Sequence, residues 1–112
     1  MDANEFWDLQ NLIHLNLASN SIKEIDGISS LQNLKSLNLA YNEIKSLDGL
    51  KQCSPNHALE ELDLRKNGIC DLKELLVLKR CEKITRLLFQ KNNTTNTKQL
   101  NNEVCLNGNY LL

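Results

Sequence analysis

The amino-acid sequence predicts an α/β solenoid, a horseshoe arc with short parallel strands along its concave face and 3-10 turns and one α-helix on its convex face. Three observations predict it. One pattern of apolar residues and asparagine returns four times at near-constant spacing. Inside each copy two apolar residues stand two apart, the period at which strand side chains share a face. In the first two copies an Asp-Gly pair follows, a turn signal that bends the chain back for its next pass.

The first copy reads Leu12, Leu15, Leu17, Asn20, Ile22, Ile25. The same spacing returns as Leu34, Leu37, Leu39, Asn42, Ile44, Leu47 and as Leu59, Leu62, Leu64, Asn67, Ile69, Leu72. A weaker fourth copy reads Ile84, Leu87, Phe89, Asn92. The step from Asn20 to Asn42 is 22 residues, and the next two steps are 25 each. Residues 1–92 therefore divide into repeats at 8–30, 31–53, 56–80 and a partial 81–92, with a degenerate cap or tail at 93–112. No single copy can bury its own leucines, so stacked neighbours must do it.

Each position has a physical task. Leu15 and Leu17, Leu37 and Leu39, Leu62 and Leu64, Leu87 and Phe89 should point inward from a short strand. The column Asn20, Asn42, Asn67, Asn92 falls where the chain leaves that strand, as a structural ladder. An inward asparagine amide can donate to and accept from turn backbone groups that burial would otherwise leave unsatisfied. Gly27 and Gly49, each preceded by Asp, are expected to supply a left-handed turn. The third repeat departs from this. Asp71-Leu-Lys-Glu74 matches a capping box, followed by Leu75, Leu76, Leu78 and the basic pair Lys79-Arg80, which predicts an α-helix from Asp71 to about Arg80. The insert Cys53-Ser-Pro-Asn-His57 accounts for the other long step as a convex loop.

These residues resemble the leucine-rich-repeat superfamily over residues 9–92, in the 22-residue class typified by the nuclear regulatory subunit of protein phosphatase 1. A narrower resemblance is to the leucine-rich-repeat and coiled-coil centrosomal protein family. Its carriers are His57-Ala-Leu-Glu-Glu-Leu-Asp-Leu-Arg-Lys-Asn-Gly-Ile69, Leu75-Leu76, Lys79-Arg-Cys81 and Ile84-Thr-Arg-Leu-Leu88. The tail Asn102-Glu-Val-Cys105 with Tyr110 resembles that family's cap, with Glu103 where a proline is usual. The resemblance implies a recognition head that precedes a coiled coil and an adaptor or scaffold role at centrosome, centriole or cilium, in spindle or microtubule organisation during the cell cycle. The alternative it implies is a regulatory subunit that binds a protein phosphatase.

Composition narrows the function classes. Thirteen basic and fourteen acidic residues give a net charge of −1, which offers no electrostatic case for nucleic acid or an anionic membrane. Aromatics make up 4%, too few for a base-stacking platform. No apolar run reaches the roughly 18 residues of a membrane span, and the acidic start Met-Asp-Ala-Asn-Glu is unlike an export signal. A cytoplasmic, cytoskeleton-associated chain is the expectation, with Cys53, Cys70, Cys81 and Cys105 as reduced thiols. The glycosylation triplets that begin at Asn92 and Asn93 would then go unused. Phe6 and Trp7 lead straight into a repeat and Leu111-Leu112 follow the tail, so self-association through exposed end layers and marginal stability are expected.

No constellation for chemistry emerges. Cys53 and His57 have a metal-like spacing but lack the further ligands zinc needs. His14 and His57 lie far apart in the repeat lattice, and Asp26, Asp48 and Asp71 recur because turns want Asp. The sequence thus implies a non-enzymatic chain with no cofactor and no metal, whose partner is another protein. The outward strand positions should line the concave face as candidate contacts. They are His14, Ser36, Glu61 and Arg86 in one column and Asn16, Asn38 and Asp63 in the next, with Arg65, Tyr41, Lys66 and Lys91 just beyond. Tyr41 and Arg65 stand out, since both residue types are enriched among interface hot spots.

Overall fold

In a computed structural model of the chain, which describes residues 10–54, 57–92, 105–106 and 109–110, four three-residue strands form one parallel sheet. They are β1 (His14–Asn16), β2 (Ser36–Asn38), β3 (Glu61–Asp63) and β4 (Arg86–Leu88), in sequence order. The register is strict: His14, Ser36, Glu61 and Arg86 lie side by side, as do Leu15, Leu37, Leu62 and Leu87. The ladder runs on past the strands. The Leu17 N–H donates to the Asn38 carbonyl, Leu39 to Asp63 and Leu64 to Leu88, each at 2.8 Å. Three 3-10 segments return the chain along the convex side: η1 (Ile28–Ser30), η2 (Asp48–Leu50) and η3 (Leu72–Arg80). A short antiparallel pair, β5 (Cys105–Leu106) and β6 (Asn109–Tyr110), lies apart from this sheet, with Cys105 opposite Tyr110.

The core fills the space between strands and convex turns. Leu37, Leu39, Leu62 and Leu64 enter from the sheet, and Leu47, Leu50, Leu75 and Leu78 meet them from the other side, all buried. Each fully buried leucine contributes about 2–3 kcal/mol. In the first coil, Leu12, Leu15, Leu17 and Ile22 pack on this core but stay partly exposed.

The asparagine side chains tie coil to coil. Asn42 Nδ2 donates to the carbonyls of Leu39 at 3.0 Å and Ala40 at 3.2 Å in its own turn, and to Leu17 of the preceding coil at 3.0 Å. Its Oδ1 accepts the Ile22 N–H, also from the preceding coil, at 3.0 Å. Asn67 repeats this one coil on, with Leu39, Leu64 and Arg65 as acceptors and the Ile44 N–H as donor. Asn92 bonds the Leu64 and Phe89 carbonyls and the Ile69 N–H. Asn20, exposed, donates to Leu17 and Ala18 in its own turn.

Two expectations need correction. The predicted α-helix over Asp71 to Arg80 is instead a nine-residue 3-10 helix, Leu72–Arg80. At three residues per turn, side chains three apart stack on one line. Leu75, Leu78 and Cys81 do so, each fully buried, while Leu76 stays 53% exposed. The capping box is only half formed. Asp71 accepts from the Lys73 N–H at 2.9 Å, but Glu74 Oε1 reaches across to the Leu47 N–H at 2.8 Å in the neighbouring coil. Glu74 thus fastens η3 to the coil before it, and the stacking favours the same tight winding as η1 and η2.

The second correction concerns the glycines. Gly27 is left-handed, with φ 79°. Gly49 has no positive φ, and its constraint is proximity: a Cβ there would sit 1.8 Å from the Ile25 carbonyl oxygen. The expectations for Phe6, Trp7, the glycosylation triplet at Asn93, Glu103, and end layers that self-associate fall outside the described residues.

Candidate concave binding face

Strand alternation places the first and third residues of each strand on the concave side. The register aligns His14, Ser36, Glu61 and Arg86 in one column and Asn16, Asn38, Asp63 and Leu88 in the next. Beyond the strands, Ala18 and Ala40 are partly to fully covered, whereas Tyr41, Lys66 and Lys91 are exposed. The register thus aligns seven of the eleven candidate contact residues, and Tyr41, Arg65, Lys66 and Lys91 follow at the turns that leave the strands.

Several already have intramolecular work. Asn16 Oδ1 accepts the Ala18 N–H and Asn38 Oδ1 accepts the Ala40 N–H, both at 3.0 Å. Asp63 Oδ1 does the same for Arg65 at 3.1 Å. These are Asx turns, in which a side-chain oxygen replaces a backbone acceptor two residues on. A spacing of Asn/Asp two before the turn was the available signal. The fourth coil has Leu88 at this position and so lacks the turn bond.

Asp63 also holds Arg65 in a forked ion pair. Arg65 Nε lies 3.0 Å from Oδ1, and Nη2 lies 2.7 Å from Oδ2. Burial alone would raise the Asp63 carboxyl. The Arg65 guanidinium and N–H, with the Arg86 charge, outweigh it and hold the group below its ordinary 3.8. In return Asp63 keeps Arg65 firmly protonated. Arg86 and Glu61, neighbours in register, make no ion pair within 4 Å among the described residues. Between β2, β3 and β4 lies a shallow notch of about 250 Å³, with Leu37 and Leu62 among its lining and Ser36, Asn38, Glu61, Asp63, Arg65, Arg86 and Leu88 around it.

Tyr41 sits at the turn after β2, half exposed, with Lys66 Nζ 5.2 Å from its ring centre. That is cation–π distance. Ser19, Tyr41, Lys66 and Lys91 all adopt left-handed backbone, with φ from 52° to 63°. This column turns the chain sharply into the asparagine ladder, so its side chains are presented at a bend fixed by neighbouring coils. The Tyr41 N–H donates to the Arg65 carbonyl at 2.8 Å and Lys66 to Gln90 at 3.1 Å.

His57, Cys53 and Cys81 are occupied structurally, while Cys70 is an exposed free thiol. His57 is fully buried. Its Nδ1 accepts the Leu59 N–H at 3.3 Å, which fixes the hydrogen on Nε2, and Nε2 donates to the Ile28 carbonyl at 3.1 Å. Neither nitrogen is left for a ligand. Cys53 and Cys81 are both buried, three residues after Leu50 and Leu78 in matching turns, and their thiols share a hydrogen bond. That bond and burial push the Cys81 thiol far up, so it stays neutral. Sequence spacing did not pair them, because the insert after Cys53 hides the equivalence. Among the described residues no group of three or more His, Cys, Asp and Glu is placed to hold a metal ion. No described helix is long and apolar enough to cross a membrane.

A parallel-stranded repeat arc whose coils are tied by buried asparagines is a distinct class of protein. The chain belongs to the leucine-rich-repeat family: the model of paired leucine-rich repeats matches residues 10–52 and 32–77. Among solved structures it is similar to internalin (inlF) from Listeria monocytogenes, at TM-score 0.64 and 24% identity over 87% of this chain. It is also similar to internalin C2 from the same organism, at TM-score 0.65 and 24% identity over the whole chain. The chain spans 27% of the length of the first and 47% of the second. No curated protein matches it. At this identity the internalin likeness shows the fold. Leucine-rich-repeat domains generally mediate protein–protein interaction.

Proposed function

We propose that this chain is a protein-binding adaptor or scaffold module that receives its partner on the concave face. The observation that supports this most is the rigid, in-register array of exposed polar and aromatic side chains on β1–β4 and the turns beyond them. Around it His57, Cys53 and Cys81 are committed to the fold. Tyr41 and Arg65 flank the centre of the array, and both are presented in fixed geometry, by left-handed backbone and by the Asp63 fork. Fixing a side chain before binding reduces the entropy lost on association.

The finer reading, an adaptor at centrosome, centriole or cilium in the cytoplasm, rests on the sequence resemblance. Affinity capture from dividing cells tests both levels. Wild type should retain specific partners, centrosomal proteins among them. Tyr41→Ala combined with Arg65→Ala should lose them, while the convex-side Leu76→Asp should keep them. Equal capture by all three chains would sink the concave-face reading. Capture of a phosphatase catalytic subunit, with no centrosomal protein, would replace the adaptor reading with a regulatory subunit.

A further inference from the structure

The concave face carries a charge opposite in sign to that of the whole chain. Its four columns hold two acids, Glu61 and Asp63, against four bases, Arg65, Lys66, Arg86 and Lys91, in a chain of net charge −1. Asp63 is consumed by Arg65, its two carboxylate oxygens taken up by Arg65 Nε, Nη2 and N–H. Among the described residues Glu61 is then the one uncommitted acid on this face, against Lys66, Arg86 and Lys91. The first two coils add His14, Asn16, Ser36, Asn38 and Tyr41 and no acid.

Hydrogen-bonding capacity is biased in the same direction. An amide whose oxygen faces the turn N–H must present its NH₂ group away from it. Asn16 and Asn38 are both held this way, and neither Nδ2 donates to another described residue. Asn16 and Asn38 are adjacent unspent donors in one column, and Arg86 stands in the other column on β4. The Asx oxygens and the Asp63 carboxylate near them are already used, which leaves Glu61, beside Arg86, as the competing acceptor among the described residues. The notch of about 250 Å³ between Arg86 and Asn38 has room for one side chain of modest size.

We propose, on the reading that the concave face binds protein, that its partner is an extended acidic segment. One carboxylate of that segment sits in the notch against Arg86, and its neighbouring carbonyls accept from Asn38 and Asn16. Protein carboxylates suit this face better than nucleic-acid phosphates, because Glu61 lies directly beside Arg86 and Tyr41 is the single exposed aromatic on this face among the described residues.

The test uses the full chain, isotope-labelled, with three probes: N-acetyl hexaglutamate, hexalysine and a twelve-residue oligothymidylate. Hexaglutamate should shift the side-chain amide signals of Asn16 and Asn38 and the Arg86 Nε signal, and 0.5 M salt should weaken this sharply. Arg86→Gln with Lys91→Gln, checked for an unchanged circular-dichroism spectrum, should bind hexaglutamate about tenfold more weakly. Several outcomes overturn the proposal: no shift, equal shifts with hexalysine, shifts confined to the convex side, or unweakened binding by the double variant. Tighter binding of oligothymidylate at the same residues does so in favour of nucleic acid. If the acidic probe fails while Tyr41- and Arg65-dependent capture of cell proteins persists, this inference falls and the protein-binding reading stands. If both fail, both fall.

Discussion

At the scale of single residues, two asparagines of one column do unequal work. Asn67 is buried and bonds three carbonyls and one N–H across two coils, while Asn20 is exposed and bonds its own turn. Asn67→Ala should therefore cost about 1–3 kcal/mol, because buried partners lose their bonds, and Asn20→Ala clearly less. Urea denaturation midpoints of the two variants give the comparison, and equal losses would refute the ladder's role. Gly49 gives a second residue-scale expectation. Its Cβ position is occupied by the Ile25 carbonyl, so Gly49→Ala must push two coils apart. A loss of about 1–3 kcal/mol, the usual range for overpacking, should appear in the same assay. The Asp-Gly pair made Gly49 visible in the sequence, but for the wrong reason. Turn chemistry is a local pattern, whereas the contact with Ile25 depends on how coils stack.

At the scale of elements, the strands were legible and the long convex segment was half legible. Paired leucines with an asparagine three residues on specify a strand and its exit, so β1 to β4 follow from spacing. Over Leu72–Arg80 the same residues allow two windings, and the choice is made by Glu74 reaching Leu47 and by the flat stack beneath. The three-residue line predicts that Leu78→Ala costs about 2–5 kcal/mol, while Leu76→Asp is close to neutral. Thermal melts showing comparable losses would contradict the 3-10 phase. The Asp63–Arg65 fork belongs to this scale too, because it braces the end of β3. A carboxyl held below its unfolded value lends stability above about 3.8 and loses it as pH falls through the lowered value. Wild type should thus exceed Asp63→Asn in stability at pH 6, and the gap should close toward pH 2.5. A gap that stays constant across that range would show that the carboxylate charge is not what stabilises the turn.

At the scale of the whole molecule, the solenoid was predictable because its period is written in every coil. The candidate site was legible only as a set of positions. Column assignments follow from alternation, but the spending of Asn16, Asn38 and Asp63 on Asx turns, the fork on Arg65 and the ammonium over Tyr41 are properties of neighbouring coils. His57 and the Cys53–Cys81 pair were similarly concealed, since the insert between them breaks the period that would have aligned them. The ladder also has a direction. The amide protons of Ile22, Ile44 and Ile69 are each held by an asparagine oxygen of the following coil. Hydrogen exchange at Ile44 therefore reports on the opening of the third coil, and exchange at Ile69 on the fourth. Each coil carries a clock for its successor, and a ligand lying across β2 to β4 should slow these clocks together, even though it touches none of those protons.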